Sequence, residues 1–322
     1  MEKSGSDTLF ILGAGFTKAA NSRAPLNREL VQAMGMIDKY PLYQYSDKYQ
    51  TTDIERILTL IDIEIETDGN AILINDRRTI ERQMANYFTR FRFNPASFPS
   101  WIEPFALTVL KQNDAILYLN YDCYLEGALD YFRVWSPNGG YPIINPLLDD
   151  IPPNPKNIMV YKVHGSEHFR ESTVWGSTET GIGFLVEESI FPVSGTNKFF
   201  NFGLGNSLPY IIAPSYVKIP HVQIAYMMLT ILEIAKGAKN IVIIGCGMRR
   251  EDSFLILVLT RFLYGSSKEL PKKLILLNRT SGDVLNRIAP YTKRADSFAE
   301  IITIQSYIEE GIEELQARLV SQ

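Results

Sequence analysis

The feature that most constrains this chain is a series of short apolar runs, each stopping at a glycine or a polar residue. Residues 8–12 (TLFIL) lead into Gly13-Ala14-Gly15, and residues 115–119 (AILYL) into Asn120-Tyr121-Asp122. Residues 158–163 (IMVYKV) lead into His164-Gly165-Ser166. Residues 241–244 stop at Gly245, and residues 274–277 at Asn278-Arg279. Near-continuous apolar strands belong where both faces of a sheet are covered, as in a parallel α/β sheet.

Helical patterns fill the intervals. Residues 52–66 carry Ile54, Ile57, Leu58 and Ile61 at helical spacing, with Thr52 and Glu55 set as a capping box. Residues 221–236 place Ala225, Met228, Leu229 and Leu232 on one expected face, before a stop at Gly237. Asp252 is set to cap a helix over residues 253–264, and a last helix starts near Ser306 with glutamates in its first turn. Leu12 and Ala115 bracket far more chain than a single crossover helix needs. Residues 40–105 are therefore expected to form a helical insertion, and residues 167–209, rich in Gly, Ser and Thr, loops and short strands beside the site. The expected architecture is one domain over residues 1–322, a Rossmann-like α/β fold. Its parallel sheet carries helices on both faces, and the insertion adds a smaller helical lobe.

Bulk properties exclude several classes. A formal charge of −4 argues against a body built for general nucleic-acid binding. Only two cysteines occur, Cys123 and Cys246, too few for a disulfide framework or a four-cysteine zinc site. They are expected to be buried thiols of a reducing compartment. No clustered His or carboxylate set suggests a metal. No apolar run approaches the ~20 residues needed to span a bilayer, and the N-terminus lacks the apolar core of a signal peptide. The expected location is cytoplasmic.

Ligands of open α/β sheets gather at the carboxyl ends of strands. The turn Gly13-Ala14-Gly15-Phe16-Thr17 follows the first strand directly, where glycines let the backbone approach a pyrophosphate. Lys18 stands where a third glycine would complete G-x-G-x-x-G. Asn120, Asp122 and His164 sit at two further strand ends. Asn120 and Asp122 also suit helix caps, and a lone histidine can simply bond the backbone. The coincidence of three strand-end signals favours function.

The order GAGFT, LNYD, KVHGS, IGCGMRRED and LLNR, over residues 8–280, resembles the sirtuin-like NADase domains of bacterial antiphage defence systems, and more distantly the deacylating sirtuins. The resemblance implies an NAD+ hydrolase that cleaves the nicotinamide–ribose bond and depletes NAD in abortive infection. It puts the 13–17 turn around the pyrophosphate, Asn120 and Asp122 on the nicotinamide-ribose side, and His164 as acid–base residue. Gly245 then opens the loop around the phosphates and adenosine ribose. Asn278 lies at the adenosine end, and Asp252 is a ligand contact or a helix cap. NAD is the substrate and no metal is implied. The four zinc cysteines of the deacylases are missing, and their GIPDFR stretch is replaced by Asn21-Ser22-Arg23-Ala24-Pro25-Leu26. Both departures speak against deacylation. A non-catalytic module sensing NAD or an ADP-ribose derivative is the alternative. An NAD(P) oxidoreductase is disfavoured, because no acidic residue ends a second strand roughly 20 residues after the glycines.

The resemblance also implies a partner protein, of the HerA-type ATPase or Argonaute-like kind. A homo-oligomer is expected from the aromatics of the insertion: Tyr40, Tyr43, Tyr45, Tyr49, Tyr87, Phe88, Phe91, Phe93, Phe98 and Trp101. They are numerous enough to leave an aromatic surface of the kind enriched at interfaces.

Overall fold

The computed structural model describes residues 7–35, 41–142, 151–173, 180–195, 208–212, 221–249, 252–265, 272–292 and 299–320. The chain opens with β1 (Thr8–Leu12) and α1 (Ala14–Ala20). There follow α2 (Asn27–Gly35), α3 (Leu42–Lys48), α4 (Ile54–Asp68), α5 (Ala71–Phe88) and α6 (Ile102–Pro104). Next come β2 (Ala115–Tyr118), α7 (Tyr124–Tyr131), β3 (Met159–Tyr161), β4 (Gly165–Thr173), β5 (Thr180–Phe184) and β6 (Leu208–Ile211). The last third holds α8 (Val222–Gly237), β7 (Asn240–Ile244), α9 (Ser253–Tyr264), β8 (Lys272–Leu277), α10 (Ser281–Thr292), β9 (Ala299–Ile304) and α11 (Ile308–Val320).

Six strands form one parallel sheet in the order β3-β2-β1-β7-β8-β9. The five expected strands are all present, and β9 extends the edge beyond them. β1, β2 and β7 are buried at every residue, which is why their sequences lack polar alternation. Helices flank the sheet: α8, α9 and α10 pack in series, while α11 packs with α1 and the turn at Phe105–Val109. This is the expected Rossmann-like class. The strand order reverses between β1 and β7, the crevice where open α/β sheets bind ligands.

Register sets the level of that crevice. Leu12 pairs with Tyr118 on one side and Ile244 on the other, so Gly13, Leu119 and Gly245 leave the sheet side by side. Leu117 pairs with Tyr161; counting on along both chains brings Asn120 level with His164.

The insertion between β1 and β2 is helical, as expected, and has its own apolar cluster built on Leu30, Ile54, Ile57, Leu58, Ile61, Ile80 and Met84. Its aromatics do not form an exposed surface. Tyr45, Tyr87, Phe88, Phe91, Phe93 and Trp101 are buried, Phe98 packs on the main core, and Tyr49 is half-buried. Tyr43 is exposed, and Tyr40 lies outside the described residues. The rings fill the joint between insertion and sheet: Phe88 packs on Tyr121, and Phe93 on Tyr124. Arg92 locks the same joint with a fork onto buried Glu167, both N···O distances being 2.7 Å.

Other local expectations need revision. Asp53, not Thr52, caps α4 by accepting from the Glu55 N–H. The buried stripe of α8 is Ile224, Met227, Ile231, Leu232 and Ala235, so Leu229 faces outward. Gly237 is the last residue of α8, and the chain leaves it extended at Ala238. Among the described residues of 167–209 the expected short strands are present, with β4 the centre of an antiparallel sheet with β5 and β6.

Candidate active site

A pocket opens beside the carboxyl ends of β1 and β2. Ala14, Thr17, Leu119, Asn120, Tyr121 and Asp122 form its polar wall. Ala24, Pro25, Leu26, Asn27, Leu30 and Phe88 form a largely apolar wall opposite. The stretch Asn21–Leu26, where the sequence departs from the deacylases, supplies part of that apolar wall.

The glycines of the β1–α1 turn are there for packing against β7. A Cβ on Gly13 would sit 2.7 Å from the Cys246 Cα, and one on Gly15 would sit 2.7 Å from the Gly245 carbonyl oxygen. Gly245 has φ +60°, and a Cβ there would meet the Phe16 nitrogen at 2.5 Å. The Gly15 N–H donates to Gly245 O at 2.9 Å, and the Phe16 N–H to Gly13 O at 2.9 Å. The glycines thus let two backbones touch; the Gly15 N–H serves that contact and the Phe16 N–H closes the turn itself. The Phe16 side chain points into the core, edge-on to Trp101 at 5.2 Å, so it meets a ligand only through its backbone.

Asn120 is fixed by its amide. Its Nδ2 donates to Gly13 O at 3.1 Å and to Thr17 Oγ1 at 2.8 Å. Gly13 O can only accept, so the orientation of the amide is decided and Oδ1 is what Asn120 offers a ligand. Thr17 is held in turn by Asp122, whose Oδ2 lies 3.0 Å from the Thr17 hydroxyl. Asp122 also accepts from Tyr118 Oη at 2.6 Å and from the Tyr124 N–H at 3.0 Å. Burial raises the Asp122 pKa, opposed by Lys162 and these hydrogen bonds. The carboxylate is therefore committed inward. Asp122 positions Thr17 and Asn120.

His164 follows the short strand β3 and is half-buried. Its Nδ1 lies 3.2 Å from Leu119 O, and its backbone carbonyl accepts from the Ile212 N–H at 2.8 Å. A carbonyl accepts only, so Nδ1 carries the proton and Nε2 is the basic nitrogen of the neutral ring. Gly165, at φ +73°, turns the chain immediately afterwards; a Cβ there would lie 2.3 Å from Tyr210 O.

Below this layer runs a buried network that sequence reasoning missed. Lys162 is fully buried, 2.8 Å from Glu126 Oε1, bonded to Asp122 O, and 4.5 Å above the Tyr118 ring. Burial alone would lower the Lys162 pKa, but Glu126 and Asp122 raise it, and the ammonium stays charged. Tyr141 Oη donates to Glu126 at 3.2 Å and lies 3.1 Å from His168 Nε2. The sign was visible: Lys162 interrupts an apolar strand run, and a lysine there requires a buried partner.

The two thiols are buried and free. Cys123 lies 2.9 Å from His168 Nδ1, but burial pushes the thiol well up and the imidazole well down. Burial also pushes Cys246 up to about 12. Neither is a thiolate nucleophile. Asp252 caps α9 by accepting from the Leu255 N–H at 3.3 Å. Asn278 Nδ2 donates to Cys246 O at 3.1 Å, tying the end of β8 to the loop after β7. The structure thus brings Ala14, Thr17, Asn120 and Asp122 to one pocket, with His164 beside it. Gly245 abuts the β1–α1 turn, and Asn278 and Asp252 lie around the adjoining loop. Among the described residues no group of three or more His, Cys, Asp or Glu side chains is placed to hold a metal ion, and no helix is long and apolar enough to cross a membrane.

Fold and site together define a Rossmann-like α/β protein with a pocket at the carboxyl ends of two strands of its parallel sheet, β1 and β2. Solved structures with a similar course of chain are Sir2 proteins. One, a mutant Sir2 homologue in complex with ADP-ribose, is 15% identical with a TM-score of 0.47, the match covering 98% of this chain and 92% of that one. Another, a Sir2 homologue–NAD complex, is 14% identical with a TM-score of 0.48, covering 98% and 90%. A third, Sir2 with an inhibitor, 2′-O-acetyl-ADP-ribose and a deacetylated peptide, is 9% identical with a TM-score of 0.40, covering 98% and 94%. No protein-family model and no curated protein matches the chain.

Proposed function

We propose that this chain is an NAD+ glycohydrolase, releasing nicotinamide and ADP-ribose. The observation that carries the reading is Asn120, fixed through both amide hydrogens so that Oδ1 serves the pocket, with His164 at the next strand end. Breaking the nicotinamide–ribose bond returns its electron pair to the ring nitrogen, which neutralises a cationic leaving group and needs no strong acid. Oxocarbenium-like charge develops at the ribose, as in glycoside hydrolysis. Asn120 Oδ1 accepts from the attacking water or a ribose hydroxyl and so orients it. The water oxygen bonds to the anomeric carbon and its proton passes to His164 Nε2.

Incubation of the purified chain with NAD, following free nicotinamide, tests this. Asn120→Ala and His164→Ala should each abolish release while the melting temperature stays within a few degrees. Near wild-type turnover by either folded variant would remove that residue from the mechanism. Binding of NAD without release of nicotinamide by the wild type would make the chain a sensing module.

In a cell such an enzyme would deplete cytoplasmic NAD, and the sirtuin-like antiphage resemblance supports a role for that depletion in abortive infection. An unrestrained NADase would exhaust its host, so we assign control to a partner protein, of the HerA-type ATPase or Argonaute-like kind, or to self-association. With the insertion's aromatics buried, this assignment rests on the resemblance and on the need for restraint. Light scattering, with turnover measured in the same samples, checks it. A monomer fully active without any partner would overturn it. The chemistry uses no metal, and a chelator should leave turnover of the isolated chain unchanged.

A further inference from the structure

Arg249 lies four residues beyond Gly245, in the loop that leaves β7 at the switch-point crevice. Its Nη1 donates to Glu55 Oε2 at 2.9 Å, with side-chain exposures of 27% and 15%. Glu55 belongs to the first turn of α4, so this ion pair joins the Gly245 loop to the helical insertion. Glu55 Oε1 also accepts from Asn27 Nδ2 at 3.4 Å, and Asn27 lines the pocket that holds Thr17 and Asn120. The guanidinium is therefore held between the loop and the pocket rim. A second one, Arg287 of α10, donates to Gly247 O in the same loop.

Four features point beyond a simple latch. Glu55 is not needed as a cap, because Asp53 caps α4. The β1–α1 turn has two of its first-turn N–H groups engaged by Gly245 O and Gly13 O, so an anion here calls for a side-chain cation. Lys18, the cation of that turn, is held 2.7 Å from Glu29 and bonded to Ala24 O. Arg249 meets its carboxylate through Nη1, whereas a guanidinium offers a fork of five N–H donors that matches phosphate in two places at once.

We propose that Arg249 is a phosphate-binding residue for a nucleotide carrying a diphosphate, and that Glu55 occupies its guanidinium until phosphate displaces it. The assignment rests on the dinucleotide reading above and adds the residue that takes the phosphate charge. Glu55 is then an internal competitor, which keeps the half-buried cation paired while the site is unliganded and lowers affinity for the phosphates.

Calorimetric titration of the full chain with ADP-ribose and with adenosine tests this on wild type, Arg249→Gln, Arg249→Lys, Glu55→Gln and the Arg249→Gln/Glu55→Gln pair. Loss of Arg249 should weaken ADP-ribose by about tenfold or more, the size of a charge-assisted hydrogen bond, and leave adenosine unchanged. Arg249→Lys, which keeps the charge without the fork, should fall between. Glu55→Gln should tighten ADP-ribose several-fold, and the double variant should match Arg249→Gln, because a competitor is irrelevant without its target. Unchanged ADP-ribose affinity in folded Arg249→Gln would overturn the proposal alone. Equal weakening of ADP-ribose and adenosine by Arg249→Gln and Glu55→Gln would show a latch that shapes the lobe, which also overturns it. A wild type that binds neither ADP-ribose nor NAD would remove the dinucleotide reading, and this proposal with it.

Discussion

Thr17 and Asn120 lie 103 residues apart in the chain, yet the Thr17 hydroxyl receives an Asn120 amide hydrogen at 2.8 Å. The same hydroxyl is 3.0 Å from Asp122 Oδ2 and 2.7 Å from Tyr118 Oη, all in a region closed to solvent. One side-chain oxygen on α1 thus sets the orientation of the residue proposed to orient the nucleophile.

Replacing that oxygen isolates its effect. Thr17→Val keeps the shape and removes the hydroxyl, leaving the Asn120 amide and Asp122 short of a partner. Stability should drop by about 1–3 kcal/mol, the cost of an unsatisfied buried polar group. Nicotinamide release should fall far more than melting temperature predicts, while Thr17→Ser should restore both. Turnover and urea denaturation of the three proteins decide it.

Gly15→Ala and Gly69→Ala make a contrasting pair. The first places a Cβ 2.7 Å from the Gly245 carbonyl oxygen, backbone against backbone, whereas nothing lies within 4 Å of a Cβ on Gly69 at φ +60°. Gly69→Ala should cost about 1 kcal/mol, from the left-handed conformation alone. Gly15→Ala must separate β1 from the loop after β7, so it should cost about 2 kcal/mol or more and abolish ligand binding. Thermal melts and ADP-ribose titration read both effects.

Lys162 and Glu126 are each fully buried in their side chains. Lys162→Met should strand a buried carboxylate and cost about 3–5 kcal/mol. Lys162→Met combined with Glu126→Leu should recover much of that loss, since a buried ion pair often contributes little over an apolar one. A double variant as unstable as the single would show that the bond from Lys162 to Asp122 O matters more than the charges do. Denaturant midpoints measure this.

Stability should also respond to pH through Asp114. Burial raises this carboxyl from its ordinary 3.8 to about 7. The folded chain therefore holds a proton that the unfolded chain releases between those values. Stability is greatest below about pH 4 for this group and falls as pH rises through about 7, with a slope of up to ~1.4 kcal/mol per pH unit. Asp114→Asn, which can still accept from the Lys111 N–H, should flatten that slope. Denaturation curves from pH 4 to 8 on both proteins are the check.

The parallel sheet was legible where its strands are buried on both faces and so appear as unbroken apolar runs; β1 is TLFIL and β7 is NIVII, whereas the half-exposed edge strand β9 (AEIITI) stands apart from that pattern. The antiparallel sheet was not, since β4 (GSEHFREST) mixes charged and small residues without clean alternation. Strand ends pointed to Asn120 and His164 and the glycine turn to Thr17, yet Tyr118 looked like ordinary strand core and nothing local tied Thr17 to Asp122. Their meeting with Asp122 depends on register between β1 and β2, which no local pattern encodes. Glu55 matched a capping box, but its carboxylate goes to Arg249, 194 residues away. The aromatics of the insertion were counted correctly and placed wrongly, because ring content cannot separate a lobe's outer face from its seam with the sheet.

The interior position of β1 has a consequence for how the chain is made. During synthesis β1 leaves the ribosome first, but one of its two neighbours, β7, comes after Asn240. The Gly13 N–H finds its acceptor, Ile244 O, only after more than two hundred further residues have been made. Closing so long a loop before any pairing rewards it slows folding and exposes apolar strands meanwhile. It also means that a nascent or truncated product ending before β7 carries Asn120 and His164 without the backbone that braces the turn beside them. The proposed NAD chemistry would in this way stay off until β7 has emerged.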